Sequence, residues 1–250
     1  NFELYIMDSE GESEQVAVGG DGERKAFAWG PSGNRMAYVS DHEGKDFIYV
    51  MDLALNQKFR LSTIDAPQSL GSWSPDGEWI VFSVLSGDRQ GIHRKNPGGV
   101  DEVQLTENAD SDPIYSPDGK LIAFISTRDS DASEIYIMTA EGDDQRNLSR
   151  KPGADFDFDW APDSKSLVFI SEREGEGAPE VFLIGTGGDD PERLTTNNSI
   201  ETTPRFSPGG SRIVFVSNSD GDSDIFTMRR DGTAQERITA TDEDDESPDW

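Results

Sequence analysis

The chain has 250 residues, 50 Asp and Glu against 22 Lys and Arg, and a formal net charge of −28. That charge repels phosphate backbones and anionic lipid, which excludes nucleic-acid binding. No apolar run approaches the ~20 residues of a membrane-spanning helix, and the absence of cysteine removes disulfides, thiolate metal sites and cysteine nucleophiles.

No basic and apolar leader opens the chain at Asn1, so a targeting signal is expected to be absent or already removed. The first element is an apolar strand, Leu4-Tyr5-Ile6-Met7, followed by a turn at Glu10-Gly11 and a more polar edge strand. A further strand ends at Trp29, where Trp29-Gly30-Pro31-Ser32-Gly33 reads as a turn. Pro presets φ for the first turn position, and Gly accepts positive φ at the exit. Next comes Arg35-Met36-Ala37-Tyr38-Val39, apolar on both faces and therefore expected to be covered on both. A polar loop holding His42 leads to Ile48-Tyr49-Val50-Met51, which repeats the type of the first strand.

From here the succession recurs. Trp73-Ser74-Pro75-Asp76-Gly77, Tyr115-Ser116-Pro117-Asp118-Gly119, Trp160-Ala161-Pro162-Asp163-Ser164 and Phe206-Ser207-Pro208-Gly209-Gly210 restate the turn, and Trp250 restates the aromatic anchor. The anchors stand at 29, 73, 115, 160, 206 and 250, and the apolar strands that begin at Leu4, Ile48, Ile92, Ile135, Val181 and Ile225 keep nearly the same step. Two independent markers with one period of about 44 residues predict a repeat architecture. Each repeat reads as an inner strand, a doubly buried second strand, a third strand and a charged outer strand. The count is six inner, five second, six third and six outer strands. The chain is thus expected to be all-β, a six-bladed β-propeller of four-stranded antiparallel blades in one domain, 1–250. The last blade is shared between the N- and C-terminal segments and lacks its second strand, as in a chain that is truncated or continues. Phe124, Phe169 and Phe215, at one phase of the second strands, are expected in the core.

Over residues 112–149 the residues Pro113, Tyr115-Ser116-Pro117-Asp118-Gly119, Ile122-Ala123-Phe124, Ile135-Tyr136-Ile137-Met138 and Leu148-Ser149 resemble the TolB-type propeller repeat. Related repeats occur in the propeller domains of prolyl-oligopeptidase-like enzymes. The resemblance implies a periplasmic or extracellular location and protein partners engaged at one end of the channel.

The residues offer little for catalysis. His42 lies in a polar loop and His93 takes a strand position held elsewhere by Tyr or Phe, and no Gly-x-Ser-x-Gly, His-Glu-x-x-His or phosphate-loop motif occurs. The aromatic anchors are expected to fill the space between sheets rather than form a carbohydrate-stacking ring. Five residues before them stand Arg24, Gln68, Asp110, Asp155, Glu201 and Asp245; three before stand Ala26, Leu70, Asp112, Asp157, Thr203 and Ser247. Repetition would gather Asp110, Asp112, Asp155, Asp157, Glu201 and Asp245 around the channel mouth, and hard oxygen ligands of this kind suit Ca²⁺ or Mg²⁺ rather than zinc. The competing reading is that these acids cap turns and face water. Asp220-Gly221-Asp222-Ser223-Asp224 resembles the start of an EF-hand loop but lacks its Gly and terminal Glu. Glu3, Glu134, Glu180 and Asp224 precede third strands and are expected to make contacts between blades. The expected function is a non-enzymatic, protein-binding scaffold of the envelope or extracellular space. The alternatives are a propeller serving an appended hydrolase or peptidase, a metal-dependent lyase, and a surface-layer component.

Overall fold

The computed structural model describes the whole chain except residues 1–3, 8–9, 13–14, 19–21, 99–100, 176–178, 198, 220 and 241–242. Among the described residues every regular element is a strand. A hairpin, β1 (Leu4–Ile6) and β2 (Gln15–Val18), precedes five four-stranded antiparallel sheets. The first sheet is β3 (Arg24–Trp29), β4 (Arg35–Ser40), β5 (Phe47–Asp52) and β6 (Gln57–Arg60). The second is β7 (Gln68–Trp73), β8 (Ile80–Val84), β9 (Gly91–Lys95) and β10 (Glu102–Gln104), and the third is β11 (Ser111–Tyr115), β12 (Leu121–Ser126), β13 (Glu134–Thr139) and β14 (Arg146–Asn147). The fourth is β15 (Asp155–Trp160), β16 (Ser166–Ser171), β17 (Glu180–Gly185) and β18 (Glu192–Arg193). The fifth is β19 (Glu201–Phe206), β20 (Arg212–Ser217), β21 (Asp224–Arg229) and β22 (Glu236–Arg237). In every sheet the spatial order is the chain order.

All predicted second and third strands form. The sixth inner strand does not: residues 243–250 carry no strand. They keep the local habits of an inner strand all the same. Asp245 N–H donates to Ser223 O at 2.7 Å, as Asp155 N–H does to Ser133 O at 2.8 Å. The Trp250 indole N–H donates to Arg205 O at 3.2 Å, as that of Trp73 does to Ala28 O at 3.1 Å. The outer strands of the second to fifth sheets are only two or three residues long, and in three of them a threonine hydroxyl takes over from the ladder. Thr106, Thr195 and Thr239 Oγ1 each accept the backbone N–H of Ile92, Val181 and Ile225 at 2.9 Å, satisfying a donor that would otherwise leave an open edge.

The chain divides into two compact units, residues 1–115 with 119–124 and 138–144, and residues 116–118 with 125–137 and 145–250. In the first, β4 is buried on both faces: Ala37 and Val39 join Ile48, Val50, Trp73, Ile80 and Phe82, while Met36 and Tyr38 pack with Phe47, Tyr49 and Met51. In the second, Val168, Ile170 and Val181 of the fourth sheet meet Phe206, Ile213, Phe215 and Met228 of the fifth. Phe124, Phe169 and Phe215 are all buried. Trp73, Tyr115, Trp160 and Phe206 are core residues as expected, whereas Trp29 and Trp250, at the two ends of the repeat series, are 47% and 49% exposed.

The turns carry a contact that the motif alone did not reveal. A Cβ on Gly119 (φ +73°) would lie 3.3 Å from the Pro75 ring, and one on Gly210 (φ +68°) equally close to Pro162. Gly therefore serves both the positive φ and the close approach of the preceding turn. Ser164 takes the glycine position at φ 60° and accepts the Asp118 N–H on its Oγ at 3.0 Å.

Candidate functional site

In the second to fifth sheets the positions five residues before the anchors lie at or just before the first residue of an inner strand, and there they are buried. Gln68, Asp110, Asp155 and Glu201 are each almost inaccessible. Asp155 receives two hydrogen bonds of 3.0 Å from Arg173 Nη2, whose guanidinium lies over Phe169 and Phe182 and is held through Nε by Ser171 Oγ at 2.7 Å. This is a charge pair fully inside the fold. The fifth sheet has Ser219 where the fourth has Arg173, and Glu201 is bonded differently. Its Oε1 accepts from Asn197 Nδ2 and Ser217 Oγ at 2.9 Å, while Oε2 is buried without a hydrogen-bond partner. Burial, with the neighbouring Glu180, pushes this carboxyl above its ordinary range. Asp110 is buried just ahead of β11, with its N–H on Asn108 O at 2.8 Å.

The positions three before the anchors have a backbone cause. Asp112, Asp157, Thr203 and Ser247 have φ between 49° and 56°. Where the ladders are resolved, the register slips at this point, between Phe156 and Asp159 and between Thr202 and Arg205. These two bulges each place one residue in the left-handed region, which Asp tolerates better than most. Asp157 then bridges strands of the second unit: Oδ2 accepts Thr203 N–H at 2.7 Å and Oδ1 accepts Arg205 Nη1 and Nη2 at 3.2 Å. Asp159, which the sequence pattern did not single out, accepts Phe206 N–H at 2.7 Å, and Ser72 accepts Tyr115 N–H at 2.8 Å one position before Trp73. Asp112 is exposed and accepts Ser111 Oγ at 2.7 Å; Asp245 is half-buried near the end of the chain. Among the described residues no group of three or more His, Asp or Glu side chains is placed to hold a metal ion.

Of the acids before third strands, Glu180 and Asp224 are buried and pair at 2.6 Å with Arg193 and Arg237 of their own outer strands. These contacts lie within sheets rather than between them. Glu134 is also buried, with Ser149 Oγ at 3.2 Å, and Glu3 lies outside the described residues. His93 is buried against Phe82, with Nε2–H donating to Arg89 O at 2.7 Å, and burial holds its imidazole below the usual range. His42 stays in its loop, Nδ1 at 3.2 Å from Ser40 Oγ.

At the other end of the inner strands, clefts open between the turns of successive sheets. Between the second and third sheets, Arg94 reaches across: its guanidinium stacks 4.6 Å from the Trp79 ring and donates to Ala140 O at 2.6 Å. Between the fourth and fifth, Arg230 stacks 5.5 Å from Phe206 and donates to Asp163 Oδ2 at 3.2 Å and Ser166 Oγ at 2.7 Å. Between the first and second sheets lies an open cavity of about 340 Å³, lined by Pro31, Arg35, Asp52, Trp73, Asp76 and Leu55.

The TolB beta propeller domain model matches residues 1–127 and 175–250. The chain belongs to the TolB β-propeller family. A Tol-Pal system protein TolB of Francisella tularensis is 29% identical over 169 residues, 66% of this chain and 38% of that protein. An uncharacterized peptidase, YuxL, of Bacillus subtilis is 39% identical over 75 residues, 30% of this chain and 11% of that protein. The crystal structure of TolB from Acinetobacter baumannii superposes with a TM-score of 0.70 at 21% identity, covering 93% of this chain and 58% of the other. The match spans 38% of the first of these curated relatives and 11% of the second.

In this TolB-type propeller domain the Ser-Pro-Asp-Gly turn and the Leu-Thr ending of the outer strand are parts of the fold. The Arg94 and Arg230 plugs were invisible in the sequence, since neither is repeated at its own position. Only the convergence of different repeat positions on one kind of cleft reveals them.

Proposed function

We propose that this domain is a non-enzymatic scaffold that binds protein partners through the loops at one end of its sheets, in the bacterial envelope or outside the cell. The observation that carries this is where its polar chemistry goes. Asp155, Asp157, Asp159, Arg173 and Arg205 are consumed in joining strands, which makes a rigid frame that presents loops. Family membership supports the same reading. The immobilised chain should retain a discrete partner saturably from an envelope extract. A chain that retains nothing saturable yet cleaves peptides or uronate polymers would overturn the scaffold in favour of the hydrolase or lyase alternatives.

We also propose the six-bladed form, closed by pairing the β1–β2 hairpin with the segment ending at Trp250. Exposed anchors at both ends of the repeat series support it, because each needs a neighbour to cover it. Deleting residues 1–18 should then cost cooperativity of unfolding or cause aggregation through the uncovered edge. An unchanged melting transition would exclude the closed ring. Calcium binding by Asp110, Asp112, Asp155, Asp157, Glu201 and Asp245 is a separate proposal, and the bonds of Asp155 and Asp157 to arginine weigh against it.

A further inference from the structure

We infer that the cleft between the first and second sheets receives an arginine side chain presented by a partner protein. The reading of the domain as a protein-binding scaffold supplies the source of that arginine; the chemistry of the cleft stands on its own. The molecule shows twice what such a cleft holds. Arg94 fills the one between the second and third sheets from the N-terminal side, and Arg230 fills the one between the fourth and fifth from the C-terminal side. In both, the guanidinium meets an aromatic ring and a carbonyl, carboxylate or hydroxyl oxygen. Stacking with directed oxygen acceptors is what a planar guanidinium satisfies better than an ammonium.

Neither plug exists in the first cleft. Val50 pairs with Ala37 as Arg94 pairs with Val81, so Val50 stands where Arg94 would. Thr227 pairs with Val214 in the same way, so Pro97, three residues after Arg94, stands where Arg230 would. The aromatic wall is nevertheless present as Trp73, and the rim carries Asp52 and Asp76. Asp52 is kept ionised by the Leu55 N–H and by Arg35, and Asp76 by Ser74 Oγ and the Glu78 N–H. Arg35, the cation among the described lining residues, is already engaged through Nε with Asp52 at 3.3 Å, which leaves the rim with an excess negative charge. A net charge of −28 adds a field that draws cations in. About 340 Å³ is room for one such side chain and its backbone.

The test uses N-acetyl-arginine amide titrated into the isotope-labelled chain, followed by the Trp73 indole N–H resonance. The arginine probe should shift that resonance saturably, and the citrulline analogue, of the same shape without the charge, should bind at least about tenfold more weakly. Asp52→Asn and Asp76→Asn, which keep an oxygen acceptor for the turn, should each weaken binding about fivefold. Ala54→Arg, on the exposed turn at the rim, should compete with the probe from within and abolish the shift. No saturable shift, equal binding of citrulline or of N-acetyl-lysine amide, or indifference to both Asp→Asn changes would overturn the assignment. An envelope extract that yields no partner would instead refute the scaffold reading and leave these titrations unaffected.

Discussion

Truncating Phe215 to Ala tests whether successive sheets are held together by their second strands. Phe215 is 1% exposed, stacks on Phe226 with ring centroids 5.8 Å apart, and belongs to the cluster joining Val168, Ile170 and Val181 to Phe206 and Ile213. Removing the ring forfeits a transfer free energy of roughly 1.5–3 kcal/mol. A cavity walled by β-strands fixed on both sides relaxes little, which brings the expected loss to about 3–5 kcal/mol. That is a large share of the roughly 5–15 kcal/mol that holds an ordinary domain together. Urea unfolding followed by circular dichroism should show a lower midpoint at unchanged slope. Phe59→Ala, on the exposed face of an outer strand, is the control and should cost less than about 0.5 kcal/mol. If Phe215→Ala cost no more than the control, the packing of the fourth sheet on the fifth would not be a hydrophobic interface and the repeat model would fail.

Three further outcomes follow from the buried polar groups. Arg173→Met should cost about 3–5 kcal/mol by leaving Asp155 charged and unpaired, and adding Asp155→Asn should recover most of it, as a double-mutant cycle by denaturant would show. Glu201 binds its proton more tightly in the folded state, so its contribution is complete below the ordinary carboxylate value and is lost as pH rises through the raised one. Melting curves from pH 4 to 8 should therefore show Glu201→Gln more stable than the parent near neutrality, with the gap closing in acid. The calcium proposal requires millimolar calcium to raise the melting temperature more than sodium at matched ionic strength, with the difference lost in Asp155→Asn with Asp157→Asn; an equal rise would leave these acids as bonds of the frame, the reading that the arginine contacts of Asp155 and Asp157 favour.

The period of the chain was legible because each repeat solves the same local problem with the same residues. A Pro-x-Gly turn needs preset and positive φ, a doubly covered strand needs apolar residues on both faces, and an outer strand must not be sticky. These demands are local, and they give the strand order and sheet composition without any knowledge of neighbours. The role of the acids was not local. Asp155 and Glu201 share a position and a charge, yet one is an ion pair and the other a carboxyl pushed up by burial, because a residue eighteen positions on is Arg173 in one sheet and Ser219 in the next. Asp157 was conspicuous as a possible ligand and proved to be the left-handed residue of a bulge, a matter of register between strands. The open cleft at Trp73 is further still from the sequence. It exists because two different positions, occupied elsewhere by Arg94 and Arg230, are Val50 and Pro97 here, and only the packed sheets bring those positions to one place.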